Sequence, residues 1–234
     1  MLIPESLEQQ FNFRYPAIYR ELYADNMLDS GPTGPEWLTN VFPRLREKPP
    51  LLLFGSDFEL LAFEEIAEQI SAFSGPDDYR RTRPDLRLIP FGQSGAGDLY
   101  CFYLNEQQGA DVPIAFVWHD MNEAEIKAKN LPDFIFRALL EAVVDVYEEG
   151  LIMLDSFKEN STNMLRTHRK YLPVQQQKVV EEIYSRELFE YQYQVSATRT
   201  ETATGLLTYT ELADILAREI AFDKLDATFP YQLD

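Results

Sequence analysis

RLIPFGQSGAGDLYCFYL, residues 87–104, is the stretch whose reading decides the fold. Three glycines (Gly92, Gly95 and Gly97) fall within six positions, and an aromatic run follows. A phosphate-cradling loop would end in Gly-Lys-Ser or Gly-Lys-Thr and open onto a helix, whose first N–H groups meet the phosphate. Here the loop opens onto LYCFYL, no lysine lies between Lys48 and Lys127, and Asp98 would repel a phosphate. The glycines therefore supply positive φ or room for a tight connection between strands, and the stretch reads as a hairpin corner.

Working outward, RLIPF, DLYCFYL and PIAFVWH are rich in aromatic and β-branched residues and read as strands. The connection NEQQGADVP, with Gly109 and Pro113, suits a hairpin loop, so the three form an antiparallel meander. Upstream, Leu51–Phe54 reads as a short buried strand and Glu59–Leu61 as the start of a second. AFEEIAEQISAF then places Phe63, Ile66 and Ile70 on one helical face. Residues 4–29 are predicted helical, with Pro4 at a first helical position and Pro16 opening a second segment, and SGPTGPEW is a loop. Downstream, Leu131, Phe134, Ile135, Leu139, Val143 and Val146 form one apolar stripe, which predicts a long helix packed on the sheet and capped at Gly150. Beyond Met153 the chain turns polar, with a basic patch at Arg166, His168, Arg169 and Lys170, followed by one mixed segment and one helix. The reading is an α+β fold, a meander flanked by helices, with residues 1–150 as the main domain and 151–234 as an α/β extension packed on it.

Charge limits the partners. With 39 acidic residues against 21 Lys and Arg, the net charge is −18, which disfavours nucleic acid and anionic lipid. A basic partner would instead be steered in. The basic run YRRTRPDLR, 79–87, reads as a surface loop that balances the acidic helix before it. One cysteine, Cys101, excludes an internal disulfide and reads as a small buried strand residue. The start of the chain lacks the pattern of a secretory signal, and no apolar run reaches the 18 or so residues of a membrane span, so the expected location is cytoplasmic.

Catalytic chemistry finds little to work with. The two histidines, His119 and His168, stand far apart, and no nucleophile elbow or zinc-protease motif occurs. His119-Asp120-x-x-Glu123-x-Glu125 contains metal-ligating types, yet its acids read as the start of a loop or helix, where they favour the N-terminal dipole. No catalytic residue, metal or cofactor is assigned.

The order of these pieces resembles the SMI1/KNR4 (SUKH) superfamily. FGSDFELLAFEEI, then LIPFGQSGAGDLYCFYL, then VPIAFVWHDMNEAEIKAKNLPDFI follow its sequence of signatures over roughly residues 4–148. Ile89, Pro90, Phe91, Gly92, Gly95, Gly97 and Asp98 match its turn; Trp118, His119 and Asp120 its third strand; Leu131, Asp133 and Phe134 its following helix. The N-terminal helix departs from the pattern, ending in DNMLDSG in place of an Asn-Gly-Gly turn. The resemblance implies an antiparallel sheet flanked by helices and a non-catalytic role. Bacterial members resemble immunity proteins that block a cognate toxin, often a nuclease. The alternative it implies is a regulatory scaffold that binds several protein partners.

A nuclease toxin presents a basic cleft, so acids are the candidate contacts. Between Lys48 and Arg80 there are seven acids and no base. From that run Asp57, Glu59, Glu64, Glu65 and Glu68 are candidates, joined by Asp98, Asp120, Glu123 and Glu125. Tyr100 and Trp118 are the candidate aromatic anchors. The sequence leaves the oligomeric state open.

Overall fold

The computed structural model describes residues 2–32, 34–73, 75, 78, 80–147 and 156–233. The protein is α+β, and its backbone forms two compact units, each assembled from separate stretches of sequence. One comprises Met1–Leu28, Asp57–Phe134 and Phe222–Asp234; the other comprises Asp29–Ser56 and Ile135–Ala221. No described helix is long and apolar enough to cross a membrane.

The first unit is built on a six-stranded antiparallel sheet. Its strands are β1 (Glu59–Leu60), β2 (Leu88–Gln93), β3 (Leu99–Tyr103), β4 (Ile114–Val117), β5 (Ala124–Ala128) and β8 (Thr228–Phe229), in that spatial order. The meander expected from RLIPF, DLYCFYL and PIAFVWH is present as β2–β4. The hairpin corner is real: Ser94 N–H bonds the Asp98 carbonyl at 2.8 Å, and Gly97 turns the chain at φ +91°. Gly92 serves a different need, because a Cβ there would lie 2.3 Å from the Phe58 ring. Between Pro90 and Gly92 the register shifts, and the bulged Phe91 is fully buried.

β5 is a strand where the sequence suggested a loop or helix start, and its cause is alternation. Ala124, Ile126 and Ala128 are buried, while Glu125 and Lys127 point outward and pair at 2.9 Å. Helices α1 (Pro4–Phe11) and α2 (Ala17–Ala24) begin at or just after prolines, as predicted. α4 (Phe63–Phe73) buries Ile66 and Ile70, and the Glu65 carboxylate accepts the Ala62 N–H at 2.7 Å near its start. Tyr15, Tyr19, Phe91 and Phe102 form a chain of stacked, tilted or edge-on ring contacts, with centroids 4.4–6.2 Å apart. Such contacts add about 0.5–1.5 kcal/mol each beyond the area they bury. Cys101 is fully buried, and burial pushes its thiol up, out of reach of nucleophilic use.

The second unit is mainly helical. A π-helical turn (Trp37–Val41) leads into α3 (Phe42–Glu47), and α5 (Leu131–Glu141) enters the unit after Phe134. α6 (Phe157–His168), α7 (Val174–Tyr184), the hairpin β6 (Phe189–Ser196) and β7 (Arg199–Gly205), and α8 (Tyr209–Glu219) follow. Two expectations change here. Leu51–Phe54 is not a strand but a buried succession of turns, with Leu52 held at φ +53°. The apolar stripe of α5 continues beyond its end, so Val143 and Val146 are buried in turns after Glu141. Gly150, expected as its cap, lies outside the described residues.

Candidate protein-binding site

Antiparallel order decides which residues meet. β2 and β3 are joined by the turn Ser94–Asp98, and β4 and β5 by the turn 118–123, so both turns fall at the same end of the sheet. β1 runs against β2, so Asp57 precedes it at this end; β8 runs against β5 and delivers Tyr231 there. Four separated stretches of sequence thus form one surface.

Its centre is the carboxylate of Asp98. One oxygen accepts the backbone N–H of His119 at 2.9 Å and the His119 ring N–H from Nδ1 at 2.7 Å; the other accepts the Ser94 hydroxyl at 3.0 Å. Ser94 Oγ in turn accepts the N–H groups of Ala96 and Asp98. Burial by itself would raise the Asp98 carboxyl, but the three hydrogen bonds outweigh it and hold the group below the usual carboxylate range. This network locks the two turns together. It does not activate Ser94, because the carboxylate stands between serine and histidine, whereas a nucleophilic triad needs the imidazole in the middle.

Around this centre the sheet carries a row of rings. Phe58 meets Tyr100 (5.3 Å between centroids), Tyr100 meets Phe116 (4.8 Å), and Phe116 meets Trp118 edge-on (5.2 Å). Registers Tyr100↔Phe116 and Phe116↔Glu125 set them side by side. Phe58 and Phe116 are buried, while Tyr100 and Trp118 are half-buried and offer an edge to solvent. Met121, 45% exposed, adds an unpacked apolar side chain in the neighbouring turn.

The acids divide into groups. Asp57, at φ +42°, is exposed; its carboxylate accepts the Gly95 N–H at 2.7 Å, and its carbonyl accepts the Tyr100 hydroxyl at 3.3 Å. Asp120 is exposed, Glu123 is half-exposed, and Glu125 pairs with Lys127. Glu59, exposed on β1, accepts from the Gln93 amide at 3.2 Å. Asp98 belongs to the same place but is 7% exposed and serves inside the turn. Glu64, Glu65 and Glu68 are exposed on α4, outside the meeting of turns; Glu64 accepts the Leu2 N–H and Glu65 caps its own helix.

Asp98, His119 and Asp120 present ligand-capable atoms within 4.8 Å of one another. Three side chains would suffice for an open divalent site, but the Asp98 carboxylate is already shared among three donors from protein. Glu123 and Glu125, which the sequence grouped with His119, do not complete the cluster.

Sequence reasoning missed the residues that hold the surface in place. Asn122 Oδ1 accepts the N–H groups of Tyr231 (2.9 Å) and Gln232 (2.7 Å), and the fully buried Tyr231 donates its hydroxyl to the Trp118 carbonyl at 2.7 Å. The signal was present in TFPYQ near the end of the chain, a short aromatic run with strand propensity.

Residues 4–137, more than half of the chain, match the model of the SMI1 / KNR4 family (SUKH-1). No curated protein and no solved structure matches the chain.

Proposed function

The chain belongs to the SMI1/KNR4 family (SUKH-1), and on that premise we propose that it is an immunity protein, which binds a cognate bacterial toxin stoichiometrically and blocks it. Family membership accords with a non-catalytic, protein-binding role. The observation that carries the proposal is the convergence at one sheet end of exposed acids with the half-buried Tyr100 and Trp118. That is the composition of an interface with aromatic anchors and a charged rim.

The partner it fits is basic, a nuclease-type toxin whose cleft is made to hold phosphate. Asp57, Glu59, Asp120 and Glu123 supply steering and charge-assisted pairs, while Tyr100, Trp118 and Met121 enter shallow apolar recesses. Asp98 acts from below, by fixing the two turns, and does not itself touch the partner. Glu64, Glu65 and Glu68 extend the acidic field without belonging to the contact.

The test is co-expression with the toxin-like product of the adjacent gene. Protection of the cells, one-to-one co-purification and an association rate that falls about tenfold or more as salt rises from low to physiological strength are expected. An adjacent product that is neither toxic nor retained would sink the reading, and a salt-insensitive association rate would remove its electrostatic part.

A further inference from the structure

The hairpin of β6 and β7 lies outside the residues that match the family, and its two edges differ. The β7 edge is covered. The Thr204 carbonyl accepts the Val146 N–H at 2.9 Å, the Leu206 N–H donates to the Val143 carbonyl at 2.8 Å, and a Cβ on Gly205 would lie 2.0 Å from the Val144 carbonyl oxygen. Among the described residues nothing pairs with the outer edge of β6.

Register shows which groups that edge presents. Opposed residues of an antiparallel pair alternately exchange both backbone hydrogen bonds or none. Thr204 turns its carbonyl away from β6, so Glu190, opposite it, also points its N–H and carbonyl away from β7. The same holds at Gln192 and Gln194, opposite Thr202 and Thr200. β6 has eight residues and none of the Lys, Arg or Pro that blunt open edges. Its one register shift, between Gln194 and Ser196, falls at its end. Phe189 and Val195 are 39% and 47% exposed.

The strand is complementary to itself. Paired antiparallel about a two-fold axis at Gln192, it sets Glu190 opposite Gln194 of the second copy, Tyr191 opposite Tyr193 and Phe189 opposite Val195. No like charges meet, and the row of rings Phe189, Tyr191 and Tyr193, which packs on Tyr209, continues into the same row of the other copy. An axis at Glu190 would instead oppose two carboxylates. The hairpin itself, residues 189–205, has two acids, Glu190 and Glu201, against Arg199, so it carries little of the chain's net charge of −18. Two copies can approach here with little local repulsion.

We propose that β6 is a dimerisation edge, through which two copies of the chain join as antiparallel strands centred on Gln192 and form one four-stranded sheet. Glu190, Gln192 and Gln194 of each copy supply the backbone hydrogen bonds across it. The toxin-binding reading does not depend on this contact, and salt separates the two. Salt weakens attraction for a basic toxin, whereas it strengthens the pairing of two acidic copies by screening their repulsion.

The test is sedimentation equilibrium of the full chain at concentrations up to about 300 µM, in low and in physiological salt. A reversible monomer–dimer equilibrium is expected, tighter at the higher salt. Q192P removes an N–H that the monomer leaves in solvent, and Q192K sets two ammonium groups side by side on an exposed face. Each should weaken dimerisation about tenfold or more, with an unchanged circular dichroism spectrum. Cross-linking reads the register. Q192C brings two thiols together across the axis at a Cα separation of about 5.5 Å, within disulfide reach. Diamide should therefore link it about tenfold faster than Q194C, and Cys101, being buried, stays out of the reaction. A monomer at every concentration, a dimer indifferent to Q192K, or equal cross-linking of the two cysteine variants overturns the proposal. Protection of the β6 amides from hydrogen exchange only when the toxin-like product of the adjacent gene is bound would assign the edge to that partner and overturn it too.

Discussion

The protein has two histidines, one in each unit, and the folds use them in opposite ways. His119 is half-exposed at the sheet end of the first unit, its ring donating to the carboxylate of Asp98. His168 is fully buried in the second unit, and among the described residues its ring meets no carboxylate. Its Nε2 accepts the Leu52 N–H at 2.9 Å and its Nδ1–H donates to the Met164 carbonyl at 2.8 Å. The first histidine is part of a charged network that shapes a surface. The second is a neutral connector, which pins a buried turn whose Leu52 sits at φ +53°, an uncomfortable conformation for a side chain of that size. The same residue type is thus set by its surroundings: carboxylate and water in one case, backbone amides and hydrocarbon in the other.

The strongest attempt to break this contrast is H168A. It leaves a cavity and strands the Leu52 N–H without an acceptor, so a loss of about 3–5 kcal/mol is expected. The two tryptophans separate the units conveniently, with Trp37 in the second and Trp118 in the first. Urea unfolding followed by Trp37 in a W118F background should show the loss. An unfolding midpoint unmoved by H168A would mean that His168 does not pin the turn.

Next in size is the pH response. Burial holds the His168 ring down at about 4, against an ordinary value of 6.5. The unfolded chain therefore takes up a proton below about 6.5 that the folded chain refuses until about 4. The contribution is fully present above pH 6.5 and declines by about 3 kcal/mol as pH falls to 4. Asp98 and Glu8 have lowered carboxyl groups, so their contributions persist in that window and fade only below about pH 4, the ordinary carboxylate range. Glu8, buried, owes this to the Tyr15 N–H and to Arg20 and Arg14, which outweigh its burial. Trp37-detected stability that stays flat from pH 7 to 4.5 would contradict the neutral assignment of His168.

A smaller effect is expected at the seam of the first unit. N122A removes the acceptor of the Tyr231 and Gln232 N–H groups and should cost about 1–3 kcal/mol by Trp118 fluorescence in a W37F background. H119A should cost less, about 1 kcal/mol or under, because the ring is partly in water and the backbone N–H to Asp98 survives. A larger loss from H119A than from H168A would invert the comparison. Smallest of all, D120N with E123Q should leave stability within about 0.5 kcal/mol, yet slow association with a basic partner.

The meander, both N-terminal helices and α4 were legible because their signals are local: alternation, prolines at helix starts and glycine at a turn. Leu51–Phe54 deceived the reading because four apolar residues in a row mark burial, not conformation, and His168 from 116 residues away fixes the backbone there. β5 was hidden because Glu125 and Lys127 also suit an exposed helix; only pairing with β4 reveals the alternation. The basic run also differs in part, since Arg80 is buried against Asp78 and over the Phe73 ring at 4.4 Å.

The sequence by itself determined the α+β class, the hairpin corner at Ser94–Asp98, the burial of Cys101 and the family. Each of these rests on neighbouring residues, whose spacing is written directly in the chain. Tertiary structure alone decided which acids share a surface, that Asp98 shapes it from beneath, and that Tyr231 closes it from the far end of the chain. The reason is geometric: an antiparallel sheet brings alternate turns to one end, and that juxtaposition depends on strand order, which no local pattern of residues encodes.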